Sequence, residues 1–141
     1  MKTKYIIILF LALLTNCNLA SEKQTPEAVK KTFQSKYPGE NDPDWHIDSH
    51  GNFEAHFKMN KTKYRADFSP KGNWIETETS IDYKDLPEAI KKVIEGNFDK
   101  DDITEVEKVI SASKGTFYDV EFKRKGKNKD IEFRASGEIM N

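Results

Sequence analysis

The chain has a single cysteine, Cys17, so no disulfide framework can hold it together. Histidine is nearly as scarce. Only His46, His50 and His56 are present, too few without cysteine for an evident zinc set. No run of apolar residues reaches the roughly 20 that a membrane-crossing helix needs; the longest is Tyr5–Leu14. Neither charge sign dominates, with 23 basic and 24 acidic side chains, which excludes a nucleic-acid or anionic-lipid surface as the main partner. The chemical signatures are missing too. There is no Gly-x-Ser-x-Gly, no phosphate-cradling glycine loop and no dinucleotide fingerprint. Ser111-Ala112-Ser113-Lys114 matches Ser-x-x-Lys, but it falls in an expected hairpin and lacks the companion motifs. The expectation is therefore a protein that is not an enzyme and needs no cofactor.

What is present begins with an export signal. Lys2 and Lys4 precede the apolar run, the layout of a secretory signal peptide over residues 1–20. Two cleavage sites compete. Leu14-Thr15-Asn16-Cys17 resembles a lipobox, in which Cys17 would be lipidated, although Asn16 stands where a small residue is usual; the other is cleavage after Ala20. Without Lys2 and Lys4 the remainder carries a net charge of −3. The expected location is the periplasm, or the periplasmic side of the outer membrane as a lipoprotein.

Residues 21–141 read as one domain built from two similar units, about 25–82 and 86–140. Thr25-Pro26-Glu27-Ala28-Val29-Lys30-Lys31 is echoed by Leu86-Pro87-Glu88-Ala89-Ile90-Lys91-Lys92. Further on, Phe53–Phe57 lies over Tyr118–Phe122, and Phe68-x-x-x-Gly72 over Phe133-x-x-x-Gly137. Each unit opens on an amphipathic helix. In the first, Thr25 is the expected cap, Pro26 the first helical residue, and Val29, Phe33 and Tyr37 the apolar stripe. In the second, Asp85 and Glu88 are spaced as a capping box, and Ile90, Val93 and Ile94 form the stripe.

After each helix the apolar period changes from about four to two, which predicts half-buried antiparallel strands. In the first unit, pairing Trp45 with Phe57, Ile47 with Ala55, Phe57 with Ala66 and Met59 with Tyr64 puts every apolar residue on one face. The equivalent pairs in the second are Val106 with Phe122, Lys108 with Val120 and Phe122 with Ile131, leaving Gly126-Lys127 as a two-residue turn. A fourth strand is expected over Trp74–Ile81 and a short last one near Glu138–Met140. The fold class is α+β: a two-layer sandwich, each unit a helix followed by an antiparallel meander, with both helices on one apolar face of a single curved sheet and one shared interior.

The other sheet face should stay wet, and it carries the candidate partner-binding residues. These are His46, Asp48, His56, Lys58, Arg65 and Asp67 from the first unit, and Asp119, Glu121, Lys123, Glu132 and Arg134 from the second. Trp74 is an aromatic candidate anchor, with core packing as its competing role. Interleaved charge of both signs suits a polar protein-binding platform. The alternative is a sensor of a small ligand or calcium through the acidic loops 40–44 and 99–102. Asp99, Asp101 and Asp102 alternate as in a calcium loop, but Thr104 stands at the glycine position and Ile110 at the closing glutamate.

The order Tyr37-Pro38, Trp45, alternating aromatics to Phe68, Gly72-x-Trp74-x-Glu76-Thr77-Glu78 and Leu86-Pro87 resembles the PepSY-like, β-lactamase-inhibitor-protein-like family of small exported Bacteroidetes proteins (DUF2874 type). The resemblance spans residues 25–140. It implies helices packed on one face of an antiparallel sheet whose other face can bind a protein. No inhibitory residue carries over position by position. The implied partner is an envelope protein or peptide, with no nucleic acid, membrane contact only through a lipid anchor, and a monomeric chain.

Overall fold

The computed structural model describes residues 24–141; the expected leader and Cys17 lie outside them. Two helices, α1 (Glu27–Lys36) and α2 (Glu88–Asn97), each start just after a proline. The Pro26 carbonyl accepts from the Val29 and Lys30 amides, and the Pro87 carbonyl from those of Ile90 and Lys91, at 3.0–3.2 Å. The expected caps do not form. Pro26 and Pro87 occupy the cap positions, so Thr25 stands one residue too early and packs inward at 8% exposure. Asp85 closes a short 3-10 turn over Tyr83–Asp85 and makes no capping bond to α2.

Seven strands form one antiparallel sheet in chain order: β1 (Asp44–Ile47), β2 (Phe53–Met59), β3 (Thr62–Phe68), β4 (Trp74–Ser80), β5 (Ile103–Ser111), β6 (Gly115–Phe122) and β7 (Lys129–Phe133). The eighth strand is reduced to a single bridge between Phe133 and Ile139.

The registers differ from expectation by two residues in every hairpin where a pairing was assigned. Trp45 faces Ala55 and Ile47 faces Phe53; Phe57 faces Tyr64; Val106 faces Val120, and Val120 faces Ile131. A slip of two leaves every side chain on its intended face, so the apolar pattern cannot detect it. The turns decide instead. Asn60 and Lys61 both have positive φ, 51° and 71°, as a two-residue type I′ turn demands, and this closes the β2–β3 hairpin one pair tighter. In the β1–β2 turn Asp48 Oδ1 accepts from the amides of His50 and Asn52, both at 2.8 Å, fixing Ser49-His50-Gly51 as the loop. The expected Gly126-Lys127 turn is a longer loop, 123–128, because β6 ends at Phe122 and β7 begins at Lys129.

Both helices lie on the same face of the sheet, but they cover two cores and not one. Val29, Phe33 and Tyr37 of α1 pack with Phe53, Ala55, Phe57, Ala66 and Phe68. Ile90 and Ile94 of α2 pack with Val106, Val120, Phe122, Ile131 and Phe133. Between them the helix-side positions of β4 and β5 include Thr77, Thr79, Lys108 and Ile110, and Ile110 is 45% exposed. Two ten-residue helices do not span seven strands, and polar residues fill the seam. The continuous sheet joins the halves through the β4–β5 ladder.

Each helix is also pinned by a turn that follows a core phenylalanine. Gly72 (φ +85°) sits so close to α1 that a Cβ there would lie 2.7 Å from the Ala28 carbonyl oxygen. Gly137 (φ +88°) meets α2 in the same way, 2.9 Å from that of Ala89. Only glycine satisfies both the backbone angle and the approach.

Candidate functional site

Strand alternation turns Arg65 and Asp67 of β3, Glu76 and Glu78 of β4, Glu107 of β5, Asp119 and Glu121 of β6 and Asp130 and Glu132 of β7 to the face away from the helices. Arg65 lies opposite Glu78, and its Nη2 donates to Glu78 Oε1. Its Nε lies 3.5 Å from Asp67 Oδ1. Glu78 is 9% exposed at its side chain, a burial unusual for a carboxylate and tolerable only beside a cation. Next to this pair a cleft of about 290 Å³ is lined by Arg65, Glu78, Glu105, Glu107, Asp119, Glu121 and Asp130. It holds one cation and six carboxylates.

Such crowding shifts the acids. Burial raises Asp119 to about 6, and repulsion from Asp130, Glu132 and Glu107 adds to it. Burial also raises Asp67 to about 6, against the pull of Arg65. Glu78 and Glu107 are both held above the usual carboxylate range, first by burial; a hydrogen bond between the two lowers Glu107 and raises Glu78, Arg65 pulls each down, and Glu105 and Asp130 push Glu107 up. Asp67 Oδ1 and Asp119 Oδ1 are buried atoms with no hydrogen-bond partner. Among the described residues, Asp67, Glu76 and Glu78 form the one acidic set whose oxygens lie within 4.8 Å of one another. Arg65 already supplies the positive charge there.

A small apolar patch adjoins the cleft on the same face. Val109 and Phe117 pair across β5 and β6 and are 1% and 3% exposed, yet they belong to neither core. Lys114 Nζ lies 5.1 Å from the centre of the Phe117 ring and 2.6 Å from Glu132 Oε1. Arg134 Nη1 donates to the Lys114 carbonyl at 2.6 Å.

The sequence candidates divide accordingly. Arg65, Asp67, Asp119 and Glu121 gather at the cleft, and Glu132 and Arg134 at its edge. His46, His56 and Lys58 lie toward the β1 end of the same face, with the two imidazole rings 4.7 Å apart between centres. Asp48 is a turn residue: although burial opposes it, hydrogen bonds from Asn52 and His50 hold its carboxyl below the usual value. Lys123 lies beyond β6, its amide bonded to the Asp102 carbonyl at 2.7 Å. Trp74 packs on the helix side against the first core, its Nε1 donating to Thr77 at 2.9 Å and Lys36 lying over its ring, so it is not on the open face. Asp99, Asp101 and Asp102 do not converge; Asp99 Oδ1 accepts from the Asp101 amide at 3.0 Å in a local turn. Glu78, Glu105, Glu107 and Asp130 were not singled out from sequence, nor was the buried Val109–Phe117 pair. The signal for that pair was two apolar residues in a row, Val109-Ile110 and Phe117-Tyr118, which break strict alternation.

A family model described as candidate beta-lactamase-inhibitor-like, PepSY-like matches residues 51–141. Among curated proteins none matches the chain. Solved structures share the fold. A candidate periplasmic protein from Bacteroides eggerthii superposes with a TM-score of 0.74 at 20% identity, over 84% of this chain and 87% of that one. A DUF2874 family protein from Bacteroides uniformis gives 0.72 at 20% identity, over 84% and 88%. A BLIP-like protein from Bacteroides fragilis gives 0.67 at 18% identity, over 84% of each chain.

Proposed function

The chain belongs to the PepSY-like, beta-lactamase-inhibitor-like family, and from that premise we propose that it is a non-catalytic binding module of the cell envelope that seats a protein or peptide on its open sheet face. The observation that carries this is the placement of Glu78, Glu107 and Asp119. A sheet face kept wet only for solubility has no need of carboxylates crowded until burial raises their pKa values, because surface charges serve that purpose at no cost in repulsion. Acids shifted by burial and mutual repulsion and gathered in one cleft are a candidate functional surface.

A periplasmic setting is supported by the leader-like residues 1–20 and by the structural relative described as a candidate periplasmic protein. No helix among the described residues is long and apolar enough to cross a membrane.

Photo-crosslinking in intact cells tests the reading. A benzophenone side chain introduced at Lys58, Glu121 or Glu132 on the open face should give one discrete protein adduct. The same group at Lys92 on the outer side of α2 should not. Adducts of equal strength from both faces, or from α2 alone, overturn it.

A further inference from the structure

We infer that the cleft over β5–β7 is a socket for a basic side chain, an arginine or lysine presented by the partner protein. This rests on reading the open face as a binding platform and names the chemistry of what it binds.

Charge within the cleft is unbalanced in space as well as in number. Its single cation, Arg65, lies on the β3 side and is committed to Glu78 and Asp67. On the other side no lysine or arginine nitrogen comes within 4.0 Å of Glu107, Asp119, Glu121 or Asp130, among the described residues. Lys114, on the same face, is taken up by Glu132. Asp119 Oδ1 is a buried acceptor without a donor, an unfavourable state for a carboxylate oxygen. The missing element is a group with several N–H donors and a positive charge. A guanidinium fits a set of carboxylates through its planar fork, and an ammonium fits as a compact charge. A divalent metal is the poorer match. Of the acids that converge closely enough for one, Asp67, Glu76 and Glu78, two already pair with the Arg65 guanidinium, which would repel it.

The position of the socket suits a side chain carried by a protein. It opens on the face away from both helices, and the Val109–Phe117 pair beside it is already buried within the chain, with Lys114 Nζ 5.1 Å from the centre of the Phe117 ring. The carboxylates are also kept against the interest of the fold, since neutral isosteres would remove their repulsion. A partner group of opposite sign would offset that repulsion.

The test is a backbone-amide NMR titration of the protein, expressed with its own leader and purified as the cell processes it. The probes are capped tetra-arginine, tetra-lysine, tetra-glutamate and Gly-Ser-Gly-Ser peptides, with calcium chloride as an ionic control. Tetra-arginine or tetra-lysine should shift amides confined to β5–β7 around Glu107, Asp119 and Asp130. Binding should weaken about tenfold in the Glu107→Gln/Asp119→Asn variant, and also in Glu121→Gln, whose side chain is not buried. Localised binding of tetra-glutamate or the neutral peptide overturns the basic socket while leaving the platform in place. Shifts spread over the whole surface, no shifts, identical shifts from calcium, or affinity unchanged in the variants also overturn the socket. The platform itself is judged by the crosslinking pattern.

Discussion

Arg65 on β3 and Glu78 on β4 face each other across the middle of the open sheet surface, and the Arg65 guanidinium donates to a carboxylate that water barely reaches. The pair holds the centre of the acidic cluster, so removing the cation should cost more than a surface ion pair is worth. Arg65→Met leaves Glu78 and Asp67 uncompensated. Because Arg65 is partly exposed, the cost is set between the surface and buried cases, at about 2 kcal/mol. Chemical denaturation at neutral pH measures it. In a Glu78→Gln background the same substitution should cost clearly less, and a double-mutant cycle with no coupling would show that the pair is decorative.

Acidification should stabilise the fold over a defined range. Asp67 and Asp119 titrate at about 6 in the folded chain against an ordinary 3.8, so the folded state holds their protons more tightly than the unfolded one. That contribution is complete below about pH 4 and is lost as the pH rises through about 6. Asp48 acts in the other direction, since its lowered pKa gives stability that disappears only as the pH falls below its ordinary value of 3.8. The thermal midpoint should therefore be higher at about pH 5 than at about pH 7.5. A midpoint that falls steadily from pH 7.5 to pH 5 contradicts the cluster's electrostatics.

The glycine contacts make a purely structural prediction. Gly72→Ala and Gly137→Ala each force a Cβ into a helix backbone at a positive φ, and each should destabilise by about 2 kcal/mol or more. Gly126→Ala, also at positive φ but with open space around it, should cost less, about 1 kcal/mol. Equal losses at all three would mean the helix contacts contribute nothing.

Lys61 carries a positive φ of 71° in the β2–β3 turn, the second position of a type I′ pair that favours glycine. Lys61→Gly should stabilise by about 0.5–1 kcal/mol, measurable by the shift in denaturation midpoint. A loss of stability would argue against this turn and the register it imposes.

What could be read from the residues followed from how strongly each pattern constrains the chain. Alternating apolar residues such as Phe53, Ala55 and Phe57 leave no choice of face, so both helices and the wet side were assigned correctly. The same alternation is blind to a shift of two residues, and the registers depended on Asn60-Lys61 and on the carboxylate of Asp48, local turn chemistry that a strand pattern does not contain. Division of the interior was legible in principle. Thr77, Thr79 and Lys108 fall where a continuous core would want apolar residues. At the cleft, Arg65, Asp67, Asp119 and Glu121 were picked out by their face, but the acids that complete it were not. Glu78 and Glu107 look like any other exposed carboxylates until the β3–β4 and β4–β5 pairings bring them to the same cleft as Arg65. Of the two roles open to Trp74 it takes core packing, because the β-bulge between Asp67 and Phe68 puts it opposite Phe68, on the helix side.

One comparison reaches the central claim most directly: thermal stability and tetra-arginine affinity measured side by side on the native protein and on Glu107→Gln/Asp119→Asn. If the crowded carboxylates are there to meet a partner's basic group, the variant melts higher by a few degrees and binds the peptide about tenfold more weakly. A variant that melts lower while binding tetra-arginine as tightly as the native chain contradicts it.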